Sequence, residues 1–263
     1  MLSERQSQIV ELARTSGRVQ VDDLAHRFSV SVQTIRKDLN DLCDGRLLSR
    51  VHGGAVVSFG VENVDYDARR LIAANEKAAI GRAVADLVPN GASLTINIGT
   101  TTEAVATALS RHQGLMVVTN NINVATTLRP FPEIEVVIAG GTVRRSDGGI
   151  VGEAAVDFIR QFRVDFAVIG VSAIDHDGTL LDYDYREVRV AQAIIANARH
   201  TILASDSSKF ERTASVRIGN IREIDTFVTD RCPSPEFRRA CTEGEVRLIE
   251  TDAESAQAHA EFG

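Results

Sequence analysis

Residues 21–57, VDDLAHRFSVSVQTIRKDLNDLCDGRLLSRVHGGAVV, constrain the fold more than any other stretch of the chain. Val21, Leu24, Ala25 and Phe28 recur at helical spacing and predict one short amphipathic helix. Ile35, Leu39 and Leu42 predict a second, after the polar break Ser29-Val30-Ser31, with Ser31 as its N-cap. An earlier helix is expected between Ser3, as N-cap, and Gly17, with Ile9, Leu12 and Ala13 on its inner face. Two apolar runs, 47–51 and 55–57, flank His52-Gly53-Gly54, where glycine permits the positive φ of a hairpin turn. Three short helices and a hairpin describe a winged helix–turn–helix, which lays its last helix in a DNA major groove.

The last of these helices has two faces. At about 100° per residue, Ile35, Leu39 and Leu42 fall together and point inward. Gln33, Arg36, Lys37 and Asn40 fall opposite. Gln33 and Arg36 are the candidates for base edges, because Gln can be bidentate to adenine and Arg to guanine. Ser31, Thr34, Lys37 and Asn40 suit phosphates or shorter base contacts. Arg50 and His52 lie on or beside the wing, within reach of phosphate or the minor groove. His52 serves either that contact or the turn itself. An isolated Arg-Lys pair would be an ordinary solvated helix face; the surrounding motif gives this pair its meaning.

A net charge of −7 argues against a DNA-coating protein, so its distribution matters. Residues 1–57 carry eight Lys/Arg and seven Asp/Glu, while the remainder carries twenty-one and twenty-nine. The acidity belongs to the C-terminal part, which would repel DNA and leave contact to a local face of the first. The N-terminal stretch MLSERQSQIVELAR has no apolar core of a secretory signal, and no apolar run reaches the roughly 18 residues of a membrane span. Cys43, Cys232 and Cys241 form no CxxC pair, so neither a disulfide framework nor a structural metal is expected; a reducing cytoplasm fits. No His/Cys/carboxylate set has metal-ligand spacing and no nucleotide-cofactor motif appears.

Residues 58–75 are weakly patterned and are read as the interdomain connection, with 76–251 as the second domain and 252–263 as a polar tail. Within the second domain, apolar runs at 94–98, 116–119, 136–139, 166–171, 201–204, 227–229 and 246–249 predict strands. Helical periodicity at 76–87, 103–109, 121–128, 153–162 and 187–198 alternates with them. Continuous apolar strands between helices predict a mostly parallel α/β sheet covered on both faces. Short polar or Gly-rich loops follow three of the strands: Asn97-Ile98-Gly99-Thr100-Thr101-Thr102, Thr119-Asn120-Asn121, and Ala139-Gly140-Gly141-Thr142. One such loop is ordinarily just a tight connection. Three in one domain point to an anion held at strand ends by free N–H groups and hydroxyls. In Asp206-Ser207-Ser208-Lys209-Phe210 the lysine either meets a phosphate or bonds the aspartate. Residues 183–189, YDYREVR, read as an exposed helix start, suited to a subunit contact.

Taken together these segments resemble the DeoR family of bacterial transcriptional regulators over essentially the whole chain. VSVQTIRKDLNDL and RVHGGAV carry the N-terminal resemblance; IGTT, TNN, AGGTVRRSDGGIVGE and DSSKF carry the C-terminal one. DGGIVGEAAVDFIRQFRVDFAVIGVSAID and DGTLLDYDYREVRVAQAIIANARH are most similar to the branch that governs glycerol-3-phosphate metabolism. The resemblance implies a winged helix–turn–helix joined to a sugar-phosphate sensor akin to ribose-5-phosphate isomerase and CoA transferases. It implies a homo-oligomer, dimer or tetramer, bound to double-stranded operator DNA. The expected effector is glycerol 3-phosphate. Effector-site residues of the family fall here on Lys77, Gly99, Thr100, Thr101, Thr119, Asn120, Gly140, Gly141, Asp206 and Lys209. Members commonly carry Asp two residues before the glycine of the GTT loop; Asn97 here removes that charge. The competing reading is a sugar-phosphate isomerase or deaminase with Asp206 and Lys209 in acid–base roles. The dedicated DNA-reading module argues against it, since fold alone confers no chemistry. Repression and activation are not separable by sequence.

Overall fold

A computed structural model describes residues 2–16, 18–45, 47–51, 53–57 and 66–252. The chain divides into two compact units, 1–71 and 72–263.

In the first unit α1 (Glu4–Ser16) leads into β1 (Arg18–Gln20), α2 (Val21–Arg27), α3 (Val32–Asp44), β2 (Leu48–Val51), β3 (Gly54–Val57) and α4 (Tyr66–Leu71). Ser3 caps α1 reciprocally: its Oγ accepts from the Gln6 amide at 3.2 Å and its own amide donates to Gln6 Oε1 at 2.9 Å. Ser31 caps α3, accepting from the Thr34 amide at 3.1 Å. Ile9, Ala13, Leu24, Ile35, Leu39, Leu42 and Leu48 are buried and make the core. The ion pair Arg5–Asp38, 2.6 Å, ties α1 to α3. The two apolar runs around Gly53-Gly54 predict a two-stranded wing; the sheet has three strands in the order β1-β3-β2. β1 is too short to show a period. Its site is marked by Gly54, where an added Cβ would lie 2.0 Å from the Val19 carbonyl oxygen, so only glycine lets β1 and β3 close up. Within the stretch read as a connection, Tyr66–Leu71 is helical and the next helix begins at Ala74.

In the second unit the chain runs α5 (Ala74–Ala85), β4 (Ser93–Ile96), α6 (Thr100–Ala108), β5 (Leu115–Thr119), α7 (Ile122–Leu128), β6 (Ile134–Ile138), β7 (Thr142–Val143), β8 (Ile150–Val151), α8 (Glu153–Ile159) and β9 (Val164–Ile169). It continues with β10 (Ala173–Ile174), β11 (Thr179–Asp182), α9 (Tyr185–Ala196), β12 (Ala198–Ala204), β13 (Val216–Asn220), β14 (Thr226–Thr229), α10 (Pro235–Glu243) and β15 (Arg247–Glu250). The seven predicted strands form one sheet, ordered β15-β14-β12-β9-β4-β5-β6, and every pair in it is parallel. Two apolar clusters pack on it, one containing Val156, Ile194, Phe227 and Phe237, the other Ile80, Val105, Leu109 and Val124. Burial on both faces explains why these strands read as unbroken apolar runs. The small sheet β10-β11-β13 and helix α10 were not anticipated. The former has strands of two to five residues; the latter is announced only by its cap, Ser234, followed by Pro235.

The order has one reversal. From β4 the chain moves outward through β5 and β6, then returns to the other flank of β4 as β9 and moves outward through β12, β14 and β15. The carboxyl ends of β4 and β9 flank this reversal, which is the switch point at which open α/β sheets bind ligands. Helices α5 and α6 cross closely at Gly81. A Cβ there would lie 2.7 Å from the Ala104 carbonyl oxygen. Gly81→Ala should therefore lower stability by about 1–3 kcal/mol, although the same change in an open helix would add about 1 kcal/mol. Urea unfolding tests this; an unchanged or higher midpoint would contradict the tight crossing.

Candidate DNA-reading helix and strand-end crevice

Gln33, Arg36 and Lys37 are exposed on α3, opposite the buried Ile35, Leu39 and Leu42. Ser31 is exposed, and its hydroxyl lies 2.8 Å from that of Thr34, so both are partly engaged in capping. Asn40 differs from its predicted place: it is half-buried and its Oδ1 is buried without a hydrogen-bond partner. Arg50 pairs with Ala55 across the wing. His52 lies outside the described residues.

The crevice at the switch point begins with Asn97. Its Oδ1 accepts from the Gly170 amide at 2.9 Å, which joins the end of β4 to the end of β9. Thr102 Oγ1 donates back to the Asn97 and Gly99 carbonyls, at 2.9 and 2.8 Å. Gly99, at φ 150°, lets the chain turn at once into α6. The helix therefore starts at Thr100, ahead of the predicted 103, and Gly99, Thr100 and Thr101 form its first turn, where amides are free for an anion. Thr101 is buried and Thr100 half-buried.

The loop after β5 is organised by Thr119 and Asn121. Thr119 Oγ1 donates to the Ile96 carbonyl at 2.7 Å and accepts from the Asn121 amide at 3.0 Å. Asn121 caps α7 through its Oδ1, 2.9 Å from the Asn123 amide. Asn120 is buried; its Nδ2 donates to the Ile150 carbonyl at 3.0 Å, while its Oδ1 has no partner. Gly140 and Gly141 follow β6 and are exposed; a Cβ on Gly141 would press on Ile150 at 3.0 Å.

After β12 the chain turns through Ser205, Asp206 and Lys209, all buried. Phe210 anchors the turn, its ring 4.9 Å from Phe237 and 6.5 Å from Phe227. Asp206 caps it by accepting from the Ser208 amide at 3.2 Å and from the Ser208 hydroxyl. Asp206 Oδ2 and Ser205 Oγ are buried without hydrogen-bond partners. Burial pushes the Asp206 carboxyl up, but Lys209 and Lys77, with Ser208 and Arg212, outweigh it and hold it below the usual carboxylate range. Lys77 reaches this group from α5, where it is buried and donates to the Ile72 carbonyl at 2.6 Å. Two buried lysines thus act on the one Asp206 carboxylate.

Sequence reasoning missed a second charged cluster. Glu187, expected on an exposed helix start, is buried. Arg144 bonds Asp147 through both carboxylate oxygens, at 2.8 and 2.7 Å, and also Asp184 at 3.2 Å and Glu187 at 2.5 Å. Burial, then Asp182, pushes the Glu187 carboxyl up to about 8 despite Arg144. The bond from Arg186 draws Asp184 down to about 2. The partners stand about forty residues apart in sequence, so no periodic signal announces them. Among the described residues no group of three or more His, Cys, Asp or Glu could hold a metal ion, and no helix is long and apolar enough to cross a membrane.

A DeoR-like helix-turn-helix domain matches residues 5–58, and the DeoR C terminal sensor domain matches residues 72–231. The chain belongs to the DeoR family. It is a DNA-binding transcriptional regulator of that family. It is 46% identical over 246 residues to the glycerol-3-phosphate regulon repressor of Escherichia coli (strain K12), covering 94% of this chain and 98% of that protein. It is 49% identical over 231 residues to the protein of the same description from Haemophilus influenzae, covering 88% and 90%. Among solved structures, ribose 5 phosphate isomerase A from Neisseria gonorrhoeae aligns at a TM-score of 0.38 and 12% identity, covering 54% of each chain. Both of these near full-length relatives are described as repressors.

Glu187 supplies a pH test. Its pKa is raised on folding from an ordinary 4.5 to about 8. The folded state then binds the proton more tightly, so this contribution to stability is complete below about 4.5 and is lost as pH rises through about 8. Glu187→Gln keeps the neutral shape. It should melt above the wild type at pH 9, with the gap closing towards pH 6; a gap independent of pH would contradict the assignment.

Proposed function

We propose that this chain represses genes of glycerol or glycerol-3-phosphate metabolism and leaves its operator when glycerol 3-phosphate binds the strand-end crevice. The observation that carries the reading is the crevice itself. Three buried polar atoms, Asn120 Oδ1, Ser205 Oγ and Asp206 Oδ2, lack hydrogen-bond partners and stand at the ends of β5 and β12. Buried polar atoms of this kind are costly unless something bonds them. Two are pure acceptors and call for hydroxyl donors, as a polyol supplies. The first turn of α6, with Thr100 and Thr101, and the lysines Lys77 and Lys209 favour a phosphate. Asn97 is neutral and committed to Gly170, so it adds no repulsion against a dianion. Among sugar phosphates, glycerol 3-phosphate is favoured by the near full-length relatives named for the glycerol-3-phosphate regulon.

In this reading Gln33 and Arg36 read bases, Ser31, Thr34, Lys37 and Arg50 hold the backbone, and His52 lies at the wing. Asn40 has at most a short contact, because it is half-buried. The active species is a cytoplasmic homo-oligomer, which reads half-sites spaced by about one DNA turn, roughly 34 Å. No turnover is required of it. Asp206, held ionised by two lysines, is a poor proton donor at neutral pH.

Operator binding followed by fluorescence anisotropy at fixed salt tests the account. Glycerol 3-phosphate should weaken wild-type binding, with little effect from glycerol. Lys209→Ala or Thr101→Ala should leave operator affinity intact and raise the half-effective ligand concentration at least tenfold. Undiminished wild-type binding at millimolar glycerol 3-phosphate would reject that ligand. Separately, Arg36→Ala should cost about 1–3 kcal/mol of discrimination against altered operators; retained discrimination would shift the register of α3 on DNA.

A further inference from the structure

The segment between β6 and α8 is the crossover that carries the chain from one half of the main sheet to the other, and it passes over the switch point. It is a hairpin, β7 paired with β8 through Thr142–Val151 and Val143–Ile150. Its tip closes on itself, with the Arg144 amide donating to the Gly149 carbonyl at 2.7 Å. Gly149 lies directly on Ile98 at the end of β4: a Cβ there would meet the Ile98 side chain at 2.4 Å. On the β5 side the hairpin is pinned to the crevice. The Ile150 amide donates to the Asn120 carbonyl at 2.7 Å, Asn120 Nδ2 returns a bond to the Ile150 carbonyl, and Asn123 Nδ2 donates to the Asp147 carbonyl at 3.0 Å.

On the β9 side the pins are ionic, and they run through Arg144. Its guanidinium holds Asp147 within the hairpin, and Asp184 and Glu187 at the start of α9. That helix start is itself tied to the switch point, because Asp182 just before it accepts from Ser172 Oγ, beyond β9, at 2.9 Å. One cation thus joins a strap lying over the crevice to the far wall of the crevice. Gly140 and Gly141, immediately before β7, give the strap its root.

We propose that the 142–151 hairpin is a strap over the effector crevice and that Arg144 is its positioning residue, fixing Asn120 and the 140–141 loop where a ligand meets them. The part that concerns ligand binding rests on the strand-end reading above; the mechanical part does not. The planar fork of arginine bonds three carboxyl groups at once, and lysine offers only a point charge. Removing the cation leaves the buried Asp147 carboxylate without its counter-charge and Glu187 without its hydrogen-bond donor.

Amide hydrogen exchange on the full-length protein tests the mechanical part. In Arg144→Met, peptides covering 120–123 and 142–151 should exchange at least tenfold faster, while those of β12, β14 and the first unit stay at wild-type rates. Arg144→Lys should recover part of the protection, and Glu187→Gln, which keeps an acceptor, most of it. Wild-type protection of the strap in Arg144→Met would overturn the proposal, as would uniform loss across the second unit in both Arg144→Lys and Arg144→Met. The functional part is read by operator release: Arg144→Met should need at least tenfold more glycerol 3-phosphate than the wild type, at operator affinity within twofold. An equal ligand requirement with a loosened strap would overturn the role in positioning. If glycerol 3-phosphate fails to move even the wild type, the ligand assignment falls, and the exchange data alone decide for or against the strap.

Discussion

A parallel sheet buried on both faces has only its strand ends for polar chemistry, and the second unit of this protein follows from that constraint. All seven strands run the same way, so their carboxyl ends gather on one side. The chain reverses its outward course between β4 and β9, which opens a crevice there. One bond, from the Gly170 amide to Asn97 Oδ1, spans that opening and fixes the two strand ends against each other. Around it stand the first turn of α6, Asn120, Asp206 and two buried lysines. These groups are costly to bury in isolation and reasonable to bury around an anionic polyol.

Charge segregation assigns the two units different tasks. The first is nearly neutral and cannot hold DNA by bulk attraction, which is why the proposed contacts are confined to a few side chains of α3 and the wing. The second is acidic overall and buries two lysines, Lys77 and Lys209. Ligand binding there can alter DNA occupancy only by binding a DNA-competent and a DNA-incompetent state unequally.

Much of this was legible in the sequence, and the reason differs by element. The seven strands declared themselves because two-sided burial makes them uninterrupted apolar runs, and the caps Ser3 and Ser31 marked their helices by residue type. β1, β10, β11 and β13 were hidden because two to five residues hold too little of a period-two pattern. The start of α6 was placed late because a Gly-Thr-Thr-Thr run resembles a loop until Thr102 is seen to bond back to Asn97 and Gly99. In the crevice, the loop residues could be named from their place after strands, whereas Lys77 came only from family resemblance, since a lysine on a helix usually faces water. Glu187 was read as exposed for the same reason. Its burial depends on Arg144, forty-three residues away, and no local rule reaches that far.

The most direct test of the central claim is a map of amide chemical shifts during titration with glycerol 3-phosphate. The account predicts saturable shifts concentrated at residues 99–102, 119–121, 140–151 and 205–209. Shifts concentrated instead around the open cleft lined by His176, Arg217, Arg222 and Arg239 would contradict it.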